Sequence, residues 1–273
     1  MTSAGSAADG KQYNSQSPVE CTLFQVPPSR NKICLSKTSS YPYLSNLLKE
    51  FIQFFPYLAT IECEIQITNC YDIGIIVHID DSIISEHSHF FKFIMINDKI
   101  IKNEVLKETI FDTIIYRHGI TFHQSDDNLR HVVHNIVLEN VVKCDNMYFI
   151  GGEMYIYGKL LESYYITGYF YSDFRSIVDD TLINNPSANA KCVNYDSFQI
   201  DDTIGSKVAI INSGKKLGKN MCDELNRFDC DLVILINCKH IVSDYKLLSY
   251  KIVKQFVVES DYKIVVSFMR KIK

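Results

Sequence analysis

The chain has no tryptophan, no Cys-x-x-Cys pair, no surplus of either charge and no apolar run of membrane-spanning length. Each absence excludes something. With 28 basic against 32 acidic residues the formal net charge is −4, so no global field advertises a nucleic acid or an anionic membrane. Any RNA contact has to come from a local patch. The 9 cysteines are odd in number and unpaired in spacing, which argues against a disulfide framework and against a zinc site. They read as reduced, mostly buried thiols in a reducing compartment, and no metal is expected. The opening MTSAGSAADGKQYNSQSP has neither the apolar core of a signal peptide nor an arginine, and reads as a disordered tail. An intracellular, cytoplasmic protein without a membrane partner is the expectation. Missing Trp beside plentiful Ile, Tyr, Asn and Lys is a codon-bias pattern of an AT-rich genome and carries no chemistry.

What is present is a chain of 273 residues, 47% hydrophobic, able to bury one large core or two small ones. The pattern divides it into three stretches. Residues 1–40 read as a disordered or loop-like tail, with a Pro- and Lys-containing loop or edge segment from Gln25 to Ser40. Residues 41–118 read as an α+β domain with an antiparallel sheet. In it, Tyr43–Phe55 places Leu44, Leu47, Leu48, Phe51 and Phe55 on one helical face. Thr60–Thr68 and Tyr71–Asp80 alternate as an antiparallel pair, Asp81–Phe91 is helical, Lys92–Asn97 is a strand, and Ile100–Arg117 holds one or two more.

From 119 to 273 the grammar changes to strands separated by helices. A helix spans Asn128–Val142, a strand Asn146–Phe149, and a helix-length stretch follows a Gly-Gly pair. Strand Tyr164–Phe170 precedes a helix over Ser172–Asn185, capped by Ser172 or Asp173. Strands at Lys191–Val193, Lys207–Asn212 and Leu232–Asn237 alternate with helices at Lys219–Arg227 and Ser243–Leu248. Two closing strands, Lys251–Val258 and Lys263–Met269, form a hairpin. Such alternation means a parallel α/β sheet.

Several short segments fall in the order of known motifs. GITFHQ (Gly119–Gln124) keeps an aromatic-x-Gln pattern in Phe122 and Gln124. MYFIGGEMYIYGK (Met147–Lys159) puts Gly151 and Gly152 after a strand. NYDSF holds Asp196, AIINSGKKLG holds Asn212, and VILINCKHIVSDYKLL sets Cys238 at a strand's C-terminal end. Taken together, from about Tyr43 to the C-terminus, these segments resemble the tRNA and rRNA uracil-5-methyltransferases. The resemblance implies a Rossmann-like SAM-dependent methyltransferase domain behind the small α+β domain, with S-adenosylmethionine (SAM) as cofactor. It implies Gln124, Gly151, Gly152 and Asp196 around that cofactor, and Asn212 at the target base. Cys238 would be the nucleophile that attacks carbon 6 of uracil. Lys215, Lys216 and Lys219 form the best local phosphate patch.

The chain also departs from that pattern. Phe149 and Ile150 stand where the family has Cys and its first Gly. The acid expected after the next strand aligns near Tyr169, with Asp173 the nearest carboxylate. Asn212-Ser213-Gly214-Lys215 replaces Asp-Pro-Pro-Arg, and Lys239-His240 replaces Asn-Pro. The terminal Glu that would remove the carbon-5 proton aligns near Lys263, with Glu259 about one strand-turn away. Without that base a covalent adduct does not resolve.

Three readings follow. The first is a degenerate homologue, a pseudoenzyme whose methyltransferase-like fold serves as a scaffold for RNA or protein, suited to a subunit of a larger assembly. The second is an active SAM-dependent RNA (uracil-5-)-methyltransferase using Cys238. The third is an unrelated α/β structural or assembly protein. Without the resemblance, Gln124 is a polar loop residue, Asp196 a solvated acid, the three lysines a solvated loop, and Cys238 a structural thiol.

Overall fold

Along Met147–Ile150 every side chain is buried, and successive residues enter different apolar clusters. Met147 and Phe149 join one, Tyr148 and Ile150 the other. A strand apolar on both pleat faces must be covered on both sides, and it occupies the centre of the larger sheet. The computed structural model describes residues 20–30, 32–35, 44–56, 58, 62–78, 88–213, 217–238, 247 and 249–272. Its elements run β1 (Glu20–Gln25), β2 (Lys32–Leu35), α1 (Asn46–Phe54), β3 (Cys63–Ile67), β4 (Ile73–Val77), β5 (Phe93–Ile96), β6 (Lys99–Asn103), β7 (Leu106–Ile110) and β8 (Thr113–Arg117). They continue as α2 (Asp127–Asn140), β9 (Cys144–Gly151), α3 (Met154–Leu160), β10 (Tyr165–Ser172), α4 (Arg175–Asn184) and β11 (Asn189–Cys192). Last come β12 (Lys207–Ser213), α5 (Lys219–Arg227), β13 (Leu232–Cys238), β14 (Tyr250–Glu259) and β15 (Lys263–Lys271).

The large sheet has the order β1-β14-β15-β13-β12-β9-β10-β11, and only β15 runs antiparallel to its neighbours. Helices α2, α3 and α4 pack on one face through Leu129, Val133, Tyr155, Ile156 and Ile177. On the other face α5 contributes Met221, Cys222 and Leu225. The strand order reverses between β9 and β12, which opens a crevice at the strands' carboxyl ends. The Rossmann-like fold with its closing hairpin is thus as expected. The small unit is a five-stranded sheet, β2-β3-β4-β5-β6, antiparallel except between β4 and β5, with α1 packed on it through Leu48 and Phe51. Ser45 caps α1 by accepting the N–H of Leu48.

Some expectations need correction. The stretch expected to be tail holds β1, paired in parallel with β14, whereas the loop or edge segment expected from Gln25 to Ser40 carries β2 at the edge of the small sheet, paired with β3. β1 is an edge strand whose residues are nearly all exposed, so it lacks the alternation that would betray it. Ile100–Arg117 carries β7 and β8 as a separate hairpin besides most of β6. Helix α4 begins at Arg175 with Phe174 at its cap, and Ser172 Oγ instead accepts the N–H of Phe174. The first 19 residues, most of the expected Asp81–Phe91 helix and all but Leu247 of the expected Ser243–Leu248 helix lie outside the described residues. Among the described residues no helix is long and apolar enough to cross a membrane.

The small unit, the hairpin and the large sheet meet over buried charge. Glu108 of β7, 1% exposed, lies 3.4 Å from Arg117 Nε of β8 and 3.0 Å from Arg130 Nη1 of α2. Arg117, fully buried, donates through Nη1 to Gln66 Oε1 of β3 at 2.7 Å. Burial alone would raise the Glu108 pKa, but the charges of Arg130 and Arg117 outweigh it and hold the carboxyl below its usual range. Glu108→Ala strands two guanidinium groups in the interior. It is expected to cost about 3–5 kcal/mol in urea unfolding followed by circular dichroism.

A second tie joins β8 to α4. Asp180 Oδ1 accepts both the backbone N–H and Nδ1 of His118, and Asn184 exchanges two hydrogen bonds with the Tyr116 backbone. The Asp180 hydrogen bond raises the His118 pKa, against the pull of burial. A raised folded-state pKa makes this contribution complete below the unfolded value of about 6.5 and removes it as pH climbs through the folded value. Urea midpoints measured from pH 6 upward should therefore fall more in the wild type than in His118→Gln, which keeps the backbone bond. Parallel profiles would exclude the tie as a titrating contact.

Candidate functional site

β9 ends in Gly151, whose φ of +98° is open to glycine and strained for other residues. The close approach of two backbones demands the same residue. A Cβ at Gly151 would lie 2.2 Å from the carbonyl oxygen of Asn212 on β12, and that carbonyl accepts the N–H of Gly152 at 2.9 Å. The chain then turns through Glu153, left-handed at φ 55°, into α3.

A cleft opens here at the strand tips. Asn212, Ile236 and Cys238 come from β12 and β13, and Ile264 from β15. Arg130, Val133 and His134 face it from α2, and Phe122, Gln124 and Glu153 from the adjoining segments. The expected site residues Gln124, Asn212 and Cys238 therefore line one cleft, and Gly151–Gly152 form the turn beside it. Cys238 is partly exposed at the last position of β13.

The other expected residues stand apart. Asp196 is exposed in a turn after β11, where its N–H donates to Asn194 Oδ1, and it is not among the cleft-lining residues. A polar Asn-Tyr-Asp turn is satisfied locally, which accounts for that position. Lys219 is exposed at the first position of α5, and Lys215 and Lys216 lie outside the described residues. Two departures from the family pattern matter less than the sequence implies. Ile150 is a strand residue whose side chain is buried 2% exposed in the α5-side core, away from the turn. Tyr169 is mid-strand, and β10 runs on to Ser172, so the exposed Asp173 directly follows the strand tip. Lys263 pairs with Glu259 at 3.1 Å across the hairpin turn, and neither lines the cleft.

Sequence reasoning missed Glu153. Its carboxylate is 4% exposed and accepts the N–H of Gln124 at 2.7 Å through Oε1 and the Asn212 side-chain amide at 3.2 Å through Oε2. His134 Nε2 lies 3.7 Å from Oε2, an ion-pair distance beyond hydrogen-bond length. Burial would raise this carboxyl, but His134, Arg130 and the Gln124 N–H together hold it below the ordinary range. The signal was available. A lone acid inside MYFIGGEMYIYG, and Arg130 and His134 one turn apart on the apolar face of α2, are polar side chains at core positions.

The lining of the cleft is close-packed at the Gly152 turn. Phe122 lies over Gly152, its ring 3.0 Å from where a Cβ would be, and Glu153 takes the donors facing the cleft. The enclosed part has room for about one water molecule. Among the described residues no three His, Cys, Asp or Glu side chains gather as a metal-holding group.

No known family's sequence profile matches the chain, and no curated protein matches its sequence. Solved structures do. The Pyrococcus abyssi tRNA (uracil-54, C5)-methyltransferase in complex with S-adenosyl-L-homocysteine superposes with a TM-score of 0.65 at 13% identity, over 92% of this chain and 78% of that one. The N-methyltransferase NodS from Bradyrhizobium japonicum WM9 is similar at a TM-score of 0.46 and 7% identity, over 54% of this chain and 90% of that one. The chain thus has the Rossmann-like fold of SAM-dependent methyltransferases, with extra antiparallel sheets.

Gly151 tests the local geometry. Gly151→Ala combines left-handed strain with a backbone clash and is expected to cost about 2–4 kcal/mol in urea unfolding. Gly152→Ala, which meets only the Phe122 ring, should cost less than half of that.

Proposed function

We propose that this chain is a degenerate homologue of the RNA uracil-5-methyltransferases, a non-catalytic scaffold that binds structured RNA inside the cell. One observation carries the reading: Glu153 and Phe122 crowd the cleft at the strand tips, and the Gln124 N–H and the Asn212 amide beside it serve the protein's own carboxylate. The missing terminal base points the same way. RNA as partner is supported by the motif order, by the likeness to a tRNA methyltransferase and by Lys215, Lys216 and Lys219 in the segment after β12. None of the eight cysteines whose side chains are described is in a disulfide, in keeping with a reducing compartment.

A second reading has its own support. Cys238 and Asn212 share the cleft, as they would in an active uracil-5-methyltransferase. Calorimetric titration and RNA trapping separate the two. SAM added to the full chain should release no heat, and micromolar binding would sink the scaffold reading. RNA containing 5-fluorouridine should be retained on a filter without a covalent adduct, whereas an adduct lost in Cys238→Ala would establish the active enzyme. Failure to retain RNA would move the partner to protein, as in an assembly subunit.

A further inference from the structure

Two donors converge on Glu153, the Gln124 N–H and the Asn212 amide, with the His134 imidazole 3.7 Å away, and the elements that carry all three are held by contacts other than Glu153. The Gln124 N–H belongs to a segment held by Gln66 Nε2 on the Gly119 carbonyl at 2.6 Å, by the His118–Asp180 contact, and by α2, which starts at Asp127. Asn212 is locked in β12 between Gly151 of β9 and Ile236 of β13. His134 is fully buried on α2 with its ring edge-on to Tyr157 at 4.9 Å, and neither ring nitrogen makes a hydrogen bond. Two hydrogen-bond donors and a buried imidazole with unpartnered nitrogens around one point make a site for a carboxylate.

The residue that fills the site is poorly suited to its own backbone. Glu153 holds φ 55° and ψ 15°, where glycine is free of strain and a side chain is not. Such a conformation persists when surrounding contacts over-determine it, and here the contacts are those of the carboxylate.

We propose that Glu153 is an intramolecular ligand: its side chain occupies a preformed carboxylate-binding site, and a small free monocarboxylate takes that site when the side chain is removed. This rests on the closed-cleft reading above and names what closes it.

Formate is the probe, with Glu153→Gly as the main variant because glycine accepts the left-handed turn. Formate binding only the folded state should raise the melting temperature of Glu153→Gly by about 3 °C over chloride at equal ionic strength. The wild type, and Glu153→Gln with its same-shaped neutral plug, should respond alike to both salts. Adding Asn212→Ala to Glu153→Gly should abolish the rise. If Glu153→Gly is unfolded in chloride, recovery of its circular dichroism in formate alone supports the proposal equally. A folded Glu153→Gly indifferent to formate overturns it, as does a chain unfolded in both salts, since a preformed site would accept the replacement anion. SAM binding by the wild type would refute the closed-cleft reading instead, so the two failures are distinguishable.

Discussion

Glu108, held between Arg117 and Arg130 in the interior, is the contact on which the rest of the architecture depends. A buried carboxylate is tolerable only when opposite charge and hydrogen bonds surround it, and this one draws its partners from two elements. Arg117 passes the constraint to β3 through Gln66, and Gln66 passes it to the Gly119 carbonyl. Arg130 passes it along α2, where Asp127 binds its other Nη at 3.0 Å and His134 follows one turn later. The hairpin, the small sheet and the large sheet are thereby fixed around the segment that delivers Gln124 to the cleft.

Apolar packing then shapes the large sheet without regard to chemistry. β9 is buried on both pleat faces, so β10 and β12 must flank it and helices or loops must cover both sides. The order reverses at β9 because the chain runs from β9 to β10 and β11 on one side and then crosses back to place β12 and β13 on the other. A crevice at the strand tips is a product of that topology. It would be present whether or not a ligand had ever occupied it.

Much of this was legible in the sequence, for identifiable reasons. α5 over Lys219–Arg227, the β14–β15 hairpin and the strands around Ile210 and Ile234 carry strong periodicity, and the fold is insensitive to their end points. β1 was not legible, because an edge strand solvated on both faces leaves no pattern. The cleft was half legible. Gln124, Asn212 and Cys238 could be placed because each follows a recognisable strand or motif. Asp196 could not, since its turn satisfies itself through Asn194. Glu153, Arg130 and His134 appear in no motif, and their importance is a matter of where burial puts polar groups. Motif order reports inherited architecture, whereas misplaced charge reports local chemistry.

That distinction bears on how Cys238 and Glu153 should be weighed. Cys238 ends a strand whose position is dictated by β12 on one side and β15 on the other, so its presence at the cleft costs nothing and needs no selection for chemistry. Glu153 is the reverse. It spends left-handed strain and the desolvation of a charge to reach a place where an apolar or glycine residue would be easier. Local preference and global structure disagree at Glu153, as they do at the other non-glycine residues with positive φ, and such disagreement persists where something compensates it. The compensation here is the set of donors a ligand would otherwise meet. A residue held in place by the scaffold carries little information about chemistry, whereas one placed against its own backbone preference carries more.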